Sequence, residues 1–214
     1  MDNNKVFDGY EYGDLGYPEM HQQLLPLLQP GGSALDVGFG TGHMCSPVAF
    51  AGLKIVGVDR NEYWLECARK AYIEAGLGEL LTTVHADAFE YLQANTVKHN
   101  LVIMSDFLMF LPKTTGKEII KLAYEALMPS GFIWITTMST GDDCYSGMAE
   151  FQEPIDDETF MSYSPCGGSG PMCFYFPLEI KKYLESMGAV VLYRDEAPND
   201  VGGLFNIILA QKPE

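Results

Sequence analysis

Basic residues are scarce in this chain. Lys and Arg together number 13 against 29 Asp and Glu, a formal charge of −16. A field of that sign repels phosphate backbones and anionic membrane surfaces, so neither nucleic acid nor a membrane is expected as a partner. Long apolar runs are missing too, and none could span a bilayer. The opening MDNNKVFDGYEYGD lacks the basic-then-apolar order of a secretory leader, and a cytoplasmic setting is the simplest expectation. Cysteines number five, an odd count with no CxxC pair. A disulfide framework and a structural zinc site are therefore unsupported. Repeats and low-complexity tracts are absent, which assigns 1–214 to a single domain.

What is present is apolar enough for a folded core. Hydrophobic residues make up 47% and charged residues 20%, which places the chain among globular rather than disordered proteins. Residues 1–15 are polar and aromatic, with Phe7, Tyr10 and Tyr12, and read as a lid or a loose tail. Pro18–Leu28 carries Met20, Leu24, Leu27 and Leu28 at helical spacing and stops at Pro30-Gly31-Gly32. Together these make an N-terminal cap, 1–32. Strands and helices then alternate. Strands are predicted at Ser33–Val37, Lys54–Val58, Leu81–His85, Leu101–Ser105 and Phe132–Thr137. Helices are predicted from the glycine turn to about Ala51, then at Glu62–Ala75, Ala88–Ala94 and Thr115–Leu127. Short continuous apolar strands suit a parallel sheet covered on both faces, a three-layer α-β-α sandwich. The alternation breaks at Ser139. Residues 140–176 are rich in Gly, Ser, Asp, Cys and Met, and a loop that long is usually a functional lid or a misread element. A helix at Pro177–Met187 and strands at Val190–Tyr193 and Phe205–Ala210 close the chain. The link between those strands is too short for a crossover, so they should pair antiparallel.

The glycine turn reads Asp36-Val37-Gly38-Phe39-Gly40-Thr41-Gly42. A dinucleotide fingerprint would place its third glycine one residue later. Asp36 at the strand tip is also awkward beside a pyrophosphate. A cofactor bearing an ammonium and a sulfonium would instead welcome that acid, and S-adenosylmethionine fits. Asp59 ends the second strand and can accept both ribose hydroxyls, while Asn61 supplies the cap of the helix that follows. A ribose acid alone would suit NAD equally well. Asp87, after the third strand, can accept from an adenine amino group beside the backbone of Ala88, with Phe89 on the ring; the plain alternative is a helix cap. All three acids sit at the carboxyl edge of the sheet, where open α/β sheets bind ligands.

On these residues the chain resembles the class I S-adenosylmethionine-dependent methyltransferases over about 33–212. The resemblance rests on Asp36-x-Gly38-x-Gly40-x-Gly42, Asp59 and Ala86-Asp87-Ala88, with LVIMSDFLMFLP and LFNIILAQKP further on. It implies a mostly parallel seven-stranded sheet with an antiparallel last strand, and direct methyl transfer. The implied cofactor set is Asp36, Gly38, Gly40, Gly42, Asp59, Arg60, Asp87, Ala88, Phe89 and Ser105. Position 39 is Phe where the family commonly has a small residue or Cys. In its size and its YRDEAP…IILAQKP ending the chain also resembles some small methyltransferases of the tellurite-resistance type.

The acceptor side carries fewer signals. Ser105-Asp106-Phe107 lacks the Pro-Pro-Tyr continuation of adenine-amino methyltransferases. Asp106 is a candidate for direct chemistry by position, and its alternative is a turn cap. The sequence has only four histidines. His43 follows Gly42, and at a helix N-terminus it would be neutral and able to act as a base; its alternative is a polar residue of the pocket wall. His21 lies on the leading helix. His85 reads as structural and His99 as a surface loop residue. Residues 141–176 are expected to lid the acceptor, with His21, Phe107, Tyr145, Phe174 and Tyr175 as substrate contacts. Cys144, Cys166 and Cys173 offer a soft-ion option without a tight metal motif, and no metal is assigned. A small-molecule acceptor is the leading reading. A protein or RNA acceptor, or a non-catalytic cofactor-binding protein, are the alternatives.

Overall fold

The short apolar runs become strands; those at the centre of the sheet are buried along most of their length, and those at its edges are only partly covered. The computed structural model describes residues 16–163, 169–198 and 203–214, so Phe7, Tyr10, Tyr12 and Cys166 lie outside the described residues. In chain order the strands are β1 (Ser33–Val37), β2 (Lys54–Asp59), β3 (Leu81–His85), β4 (His99–Ser105), β5 (Leu127–Met138), β6 (Thr159–Tyr163), β7 (Ser169–Cys173), β8 (Val190–Pro198) and β9 (Leu204–Gln211). Seven form one sheet in the order β3-β2-β1-β4-β5-β9-β8. β1 to β5 pair in parallel, and β9 runs antiparallel between β5 and β8. The helices are α1 (Tyr17–Glu19), α2 (Ser46–Phe50), α3 (Glu62–Glu74), α4 (Ala88–Ala94), α5 (Lys113–Glu125), α6 (Asp143–Phe151) and α7 (Glu179–Ser186).

Two cores separate the layers. Leu92, Ile119, Ile120, Ala123, Ile180 and Leu184, from α4, α5 and α7, bury one face of the sheet. Met20, Leu24, Val48, Leu65, Ala68 and Tyr72 bury the other. The strand order reverses between β1 and β4, and that reversal opens a crevice at the carboxyl edge. The site is positioned there.

Several elements depart from expectation for local reasons. The first crossover helix does not begin at the glycine turn. Gly40 and Gly42 hold φ of 55° and 74°, a left-handed backbone that a right-handed helix cannot use, and α2 waits for Pro47 in its first turn. The leading helix over 18–28 is one α-turn that widens, so that Leu25 N–H reaches back to Met20 O, and then tightens over Leu25–Leu27. Pro26 lacks the N–H that would continue the α ladder. Residues 140–176 are no bare loop: they hold α6 and the antiparallel hairpin β6–β7. Met138, Phe160, Phe174 and Phe205 form a small core beneath this insert. Helical and strand periods are too short here to show in the sequence. β8 runs on to Pro198, taking in half of the predicted link. His99 is no surface residue. It begins β4 and is buried, with neither ring nitrogen hydrogen-bonded to the described residues.

Candidate functional site

A cavity of about 1060 Å³ occupies the carboxyl edge. Its floor is the glycine turn. A Cβ on Gly38 would fall 2.4 Å from the Phe107 ring, whereas a Cβ on Gly40 would meet nothing within 4 Å. The first glycine thus allows Phe107 to lie on the backbone, and the second leaves backbone open to the cavity. Gly42 does not line the cavity. It makes room for Phe39, whose ring would lie 2.4 Å from a Cβ there and 2.5 Å from a Cβ on Gly57. This accounts for the large residue at 39 and for the glycine inside KIVGVD: the ring fills the space that two missing side chains leave, against Tyr72 at 6.0 Å. Tyr72 donates its hydroxyl to Gly42 O at 2.9 Å and pins the turn from α3.

Three acids enter from the first three strands. Asp36 is buried at the end region of β1, and its carboxyl is pushed up to about 8. Burial is the main cause, the hydrogen bond with Cys45 opposes it, and the charge of Asp59 adds to it. Asp59 Oδ2 accepts from Gly40 N–H and its Oδ1 from Asn61 N–H, each at 2.8 Å. One carboxylate therefore ties the turn after β1 to the turn after β2, and its remaining lone pairs can still meet a ligand. Asn61 caps α3 as the sequence suggested, accepting from Tyr63 and Trp64 N–H. Asp87 proves to be a cap as well: Oδ1 accepts from Phe89 N–H at 2.8 Å and Glu90 N–H at 3.2 Å. A cap is worth about 1 kcal/mol. Because Oδ1 takes both bonds, Oδ2 keeps no hydrogen bond to the described residues, and Asp87 still lines the cavity.

Asp106 stands across the crevice, at the tip of β4. Its φ is 52°, a conformation that costs a non-glycine residue energy and recurs at functional sites. Thr136 of β5 holds it there: Asp106 N–H donates to Thr136 O at 3.1 Å, and the Thr136 hydroxyl donates to Asp106 Oδ1 at 2.9 Å. Burial pushes the Asp106 carboxyl up to about 6, and the Thr136 bond works against that rise. Ser105 Oγ and Thr136 Oγ1 lie 2.8 Å apart and complete the tie.

The cavity brings together Asp36, Gly38, Gly40, His43, Asp59, Arg60, Asp87, Ala88, Phe89, Ser105, Asp106 and Phe107 from the residues singled out in the sequence. His43 sits in the turn ahead of α2, not at the helix start, so the dipole argument for its neutrality falls. His21 is exposed on the leading segment, with its ring 4.9 Å from Tyr17, and does not line the cavity. Tyr145, Phe174 and Tyr175 do not line it either. Phe174 is buried at the heart of the insert, with Tyr145 packed edge-on at 5.4 Å. Tyr175 is buried beneath Gly116 of α5. Phe174 and Tyr145 build the small core of the insert, and Tyr175 joins the main core. Cys173 is likewise buried in the main core while Cys144 is exposed at the cavity, which takes apart the three-thiol arrangement.

Sequence reasoning missed Trp64, Met109, Met138, Asp143 and Phe205 as wall residues. Phe205 had a usable signal. An antiparallel last strand places its beginning, not its end, at the carboxyl edge. Trp64 also had one, standing one turn beyond the ribose-type acid and its Asn61 cap.

The sheet order, the antiparallel β9 and the acid-glycine turn now stand together. The chain has the class I, Rossmann-like fold of S-adenosylmethionine-dependent methyltransferases. A family model described as a methyltransferase domain matches residues 34–131. A solved S-adenosylmethionine-dependent methyltransferase from Methanosarcina mazei is similar at 20% identity and TM-score 0.74, over 92% of this chain and 98% of that one. Magnesium protoporphyrin IX methyltransferase from Synechocystis, solved with S-adenosylhomocysteine bound, is similar at 17% identity and TM-score 0.68, over 98% and 91%. TehB from Haemophilus influenzae is similar at 16% identity and TM-score 0.63, over 92% of this chain and 60% of that one. At these identities the likeness establishes the class I fold, and the fold agrees with the residues that carried the resemblance.

Proposed function

We propose that the chain is an S-adenosylmethionine-dependent methyltransferase with a small-molecule acceptor. The observation that carries this reading is one cavity shared by two sets of groups. Asp36, Asp59 and Asp87 enter from one side of the β1–β4 crevice, and Asp106, Phe107 and the insert enter from the other. The residues present fit the cofactor. Buried Asp36 on the cavity wall would pair with the ammonium, open glycine backbone permits close approach, and Asp59 and Asp87 retain acceptor capacity for hydroxyl and amino groups. When bound, S-adenosylmethionine supplies an electrophilic methyl on a sulfonium. The chain's own task is to align the acceptor with it, since direct displacement depends on positioning. Single-ligand pockets run to about 1,000 Å³, and about 1060 Å³ suits the cofactor with a small acceptor beside it.

Isothermal calorimetry tests the cofactor. S-adenosylhomocysteine should bind with micromolar affinity and NAD only weakly. Asp59→Ala should weaken S-adenosylhomocysteine by about 2 kcal/mol, the loss of charge-assisted hydrogen bonds. Tight NAD binding without S-adenosylhomocysteine binding would sink the reading. Supplying labelled cofactor to a lysate split into metabolites, proteins and RNA tests the acceptor class, and label confined to macromolecules would reject a small molecule.

A further inference from the structure

The two sides of the crevice differ in charge. Among the described wall residues Arg60 is the one Lys or Arg, and it follows β2 on the side of Asp36, Asp59 and Asp87. The side formed by β4, α5, β5, α6 and β9 presents Asp106, Glu118, Asp142 and Asp143 among Phe107, Met109, Phe110, Leu111, Met138 and Phe205, with no Lys or Arg among the described wall residues. These acids are not equivalent. Asp142 is committed to the fold: Oδ1 accepts from Cys144 N–H at 2.7 Å and Oδ2 from Leu204 N–H at 2.6 Å, which fastens α6 to β9. Asp106 is not. Thr136 takes Oδ1, and Oδ2 has no hydrogen bond to the described residues. Asp143 and Glu118 are exposed at the wall.

A carboxylate or phosphate acceptor would meet this surface without a countercharge, which costs more in a partly desolvated cavity than in water. A cation meets both carboxylates and aromatic faces, each of which attracts it. Building on the methyltransferase reading above, we infer that the acceptor is a small apolar or aromatic amine, methylated on nitrogen, with Asp106 as the group that binds its ammonium and removes its proton. In the first step the ammonium N–H proton passes to an Asp106 carboxylate oxygen, leaving the nitrogen with its lone pair. That pair then forms the N–CH₃ bond while the S–CH₃ bond breaks, and its electrons remain on sulfur. The product is the methylated ammonium and the neutral thioether, and the proton held by Asp106 returns to solvent. Burial raises the carboxyl of the ligand-free protein above the ordinary aspartate range, which makes it a better proton acceptor than an exposed aspartate.

The test separates this inference from the reading beneath it. Protein saturated with S-adenosylhomocysteine is titrated with phenethylamine, 3-phenylpropanoate and 2-phenylethanol, three probes of similar shape. Phenethylamine should bind at least tenfold more tightly than 3-phenylpropanoate. Asp106→Asn should erase most of that preference while S-adenosylhomocysteine affinity stays within about threefold. Asn tolerates a left-handed backbone, so this variant keeps the fold. Asp143→Asn, on an exposed side chain, should reduce the preference by a smaller factor. With labelled S-adenosylmethionine, a panel of aromatic amines should take label ahead of matched carboxylates, phenols and thiols. Equal or tighter binding of 3-phenylpropanoate overturns the inference, as does a preference that survives Asp106→Asn, or label that goes to oxygen or sulfur. Failure to bind S-adenosylhomocysteine at all overturns the underlying reading instead.

Discussion

Phe39 shows how one residue can set the shape of a binding turn. Its ring occupies the volume that side chains on Gly42 and Gly57 would need, so the three positions act as a unit. Gly57→Ala should destabilise the protein by about 1–3 kcal/mol, the usual cost of overpacking. Phe39→Ala should destabilise it by opening a cavity. The double variant should be less unstable than the sum of the two, because the small ring-free site now accepts the methyl group. Denaturant titration of the four proteins measures this, and strict additivity would show that the ring and Gly57 do not share space. Asp59 is similar in kind. The sequence marks it as a ribose acid, and the fold adds a second task, joining the turns after β1 and β2.

At the scale of elements, the insert is attached to the sandwich by a buried cation. Lys113 opens α5 and is 2% exposed; its Nζ lies 3.0 Å from Glu179 of α7 and 5.1 Å from the centre of the Tyr175 ring. Its backbone N–H donates to Thr159 Oγ1 of β6 at 3.2 Å. One residue thus touches α5, α7 and the hairpin. Lys113→Ala should cost about 3 kcal/mol, the low end for breaking a buried pair, because Lys117 also reaches Glu179 at 3.1 Å. Thermal unfolding measures the loss. Hydrogen exchange should show protection falling in α7 and around Tyr175, which the side chain touches, while the backbone bond to Thr159 survives; loss confined to α5 would refute the joint.

Over the whole molecule, the site's acids govern how stability responds to pH. Burial raises Asp36 from 3.8 to about 8 and Asp106 from 3.8 to about 6. The native state therefore holds protons that the unfolded chain has released, and this contribution is full below the unfolded value and is lost as pH rises through the folded one. His99 acts in the opposite direction. Burial lowers its folded value below 6.5, so the unfolded chain takes the extra proton and stability falls as pH drops below 6.5. Between pH 6.5 and 8 Asp36 dominates, and the ligand-free protein should lose up to about 1.4 kcal/mol per pH unit. Denaturant midpoints at pH 6.5, 7.25 and 8 check this, and Asp36→Asn should flatten the slope. A constant midpoint in the unsubstituted protein would mean that Asp36 is ionised in the native state.

The sequence by itself determined the alternation of strands and helices, the acid-glycine turn and the antiparallel ending. These depend on local period, on backbone freedom at glycine, and on a link too short to cross the sheet. It also marked the strand-tip acids, because each follows its own apolar run. Tertiary structure decided what those residues touch. Phe174 and Tyr175 carry the same aromatic signal as Phe107, yet the packing of the insert turns two of them into core and leaves the third on the cavity wall. His99 lies among polar residues in the chain and is buried only because β4 and β5 meet at its end of the sheet. Asp142 and Asp143 are neighbours on the cavity wall, yet Asp142 is buried and fastens β9 while Asp143 is exposed, a distinction set by Leu204, 62 positions away. Local pattern fixes which residues share an element; long-range packing fixes which face of that element a ligand can reach.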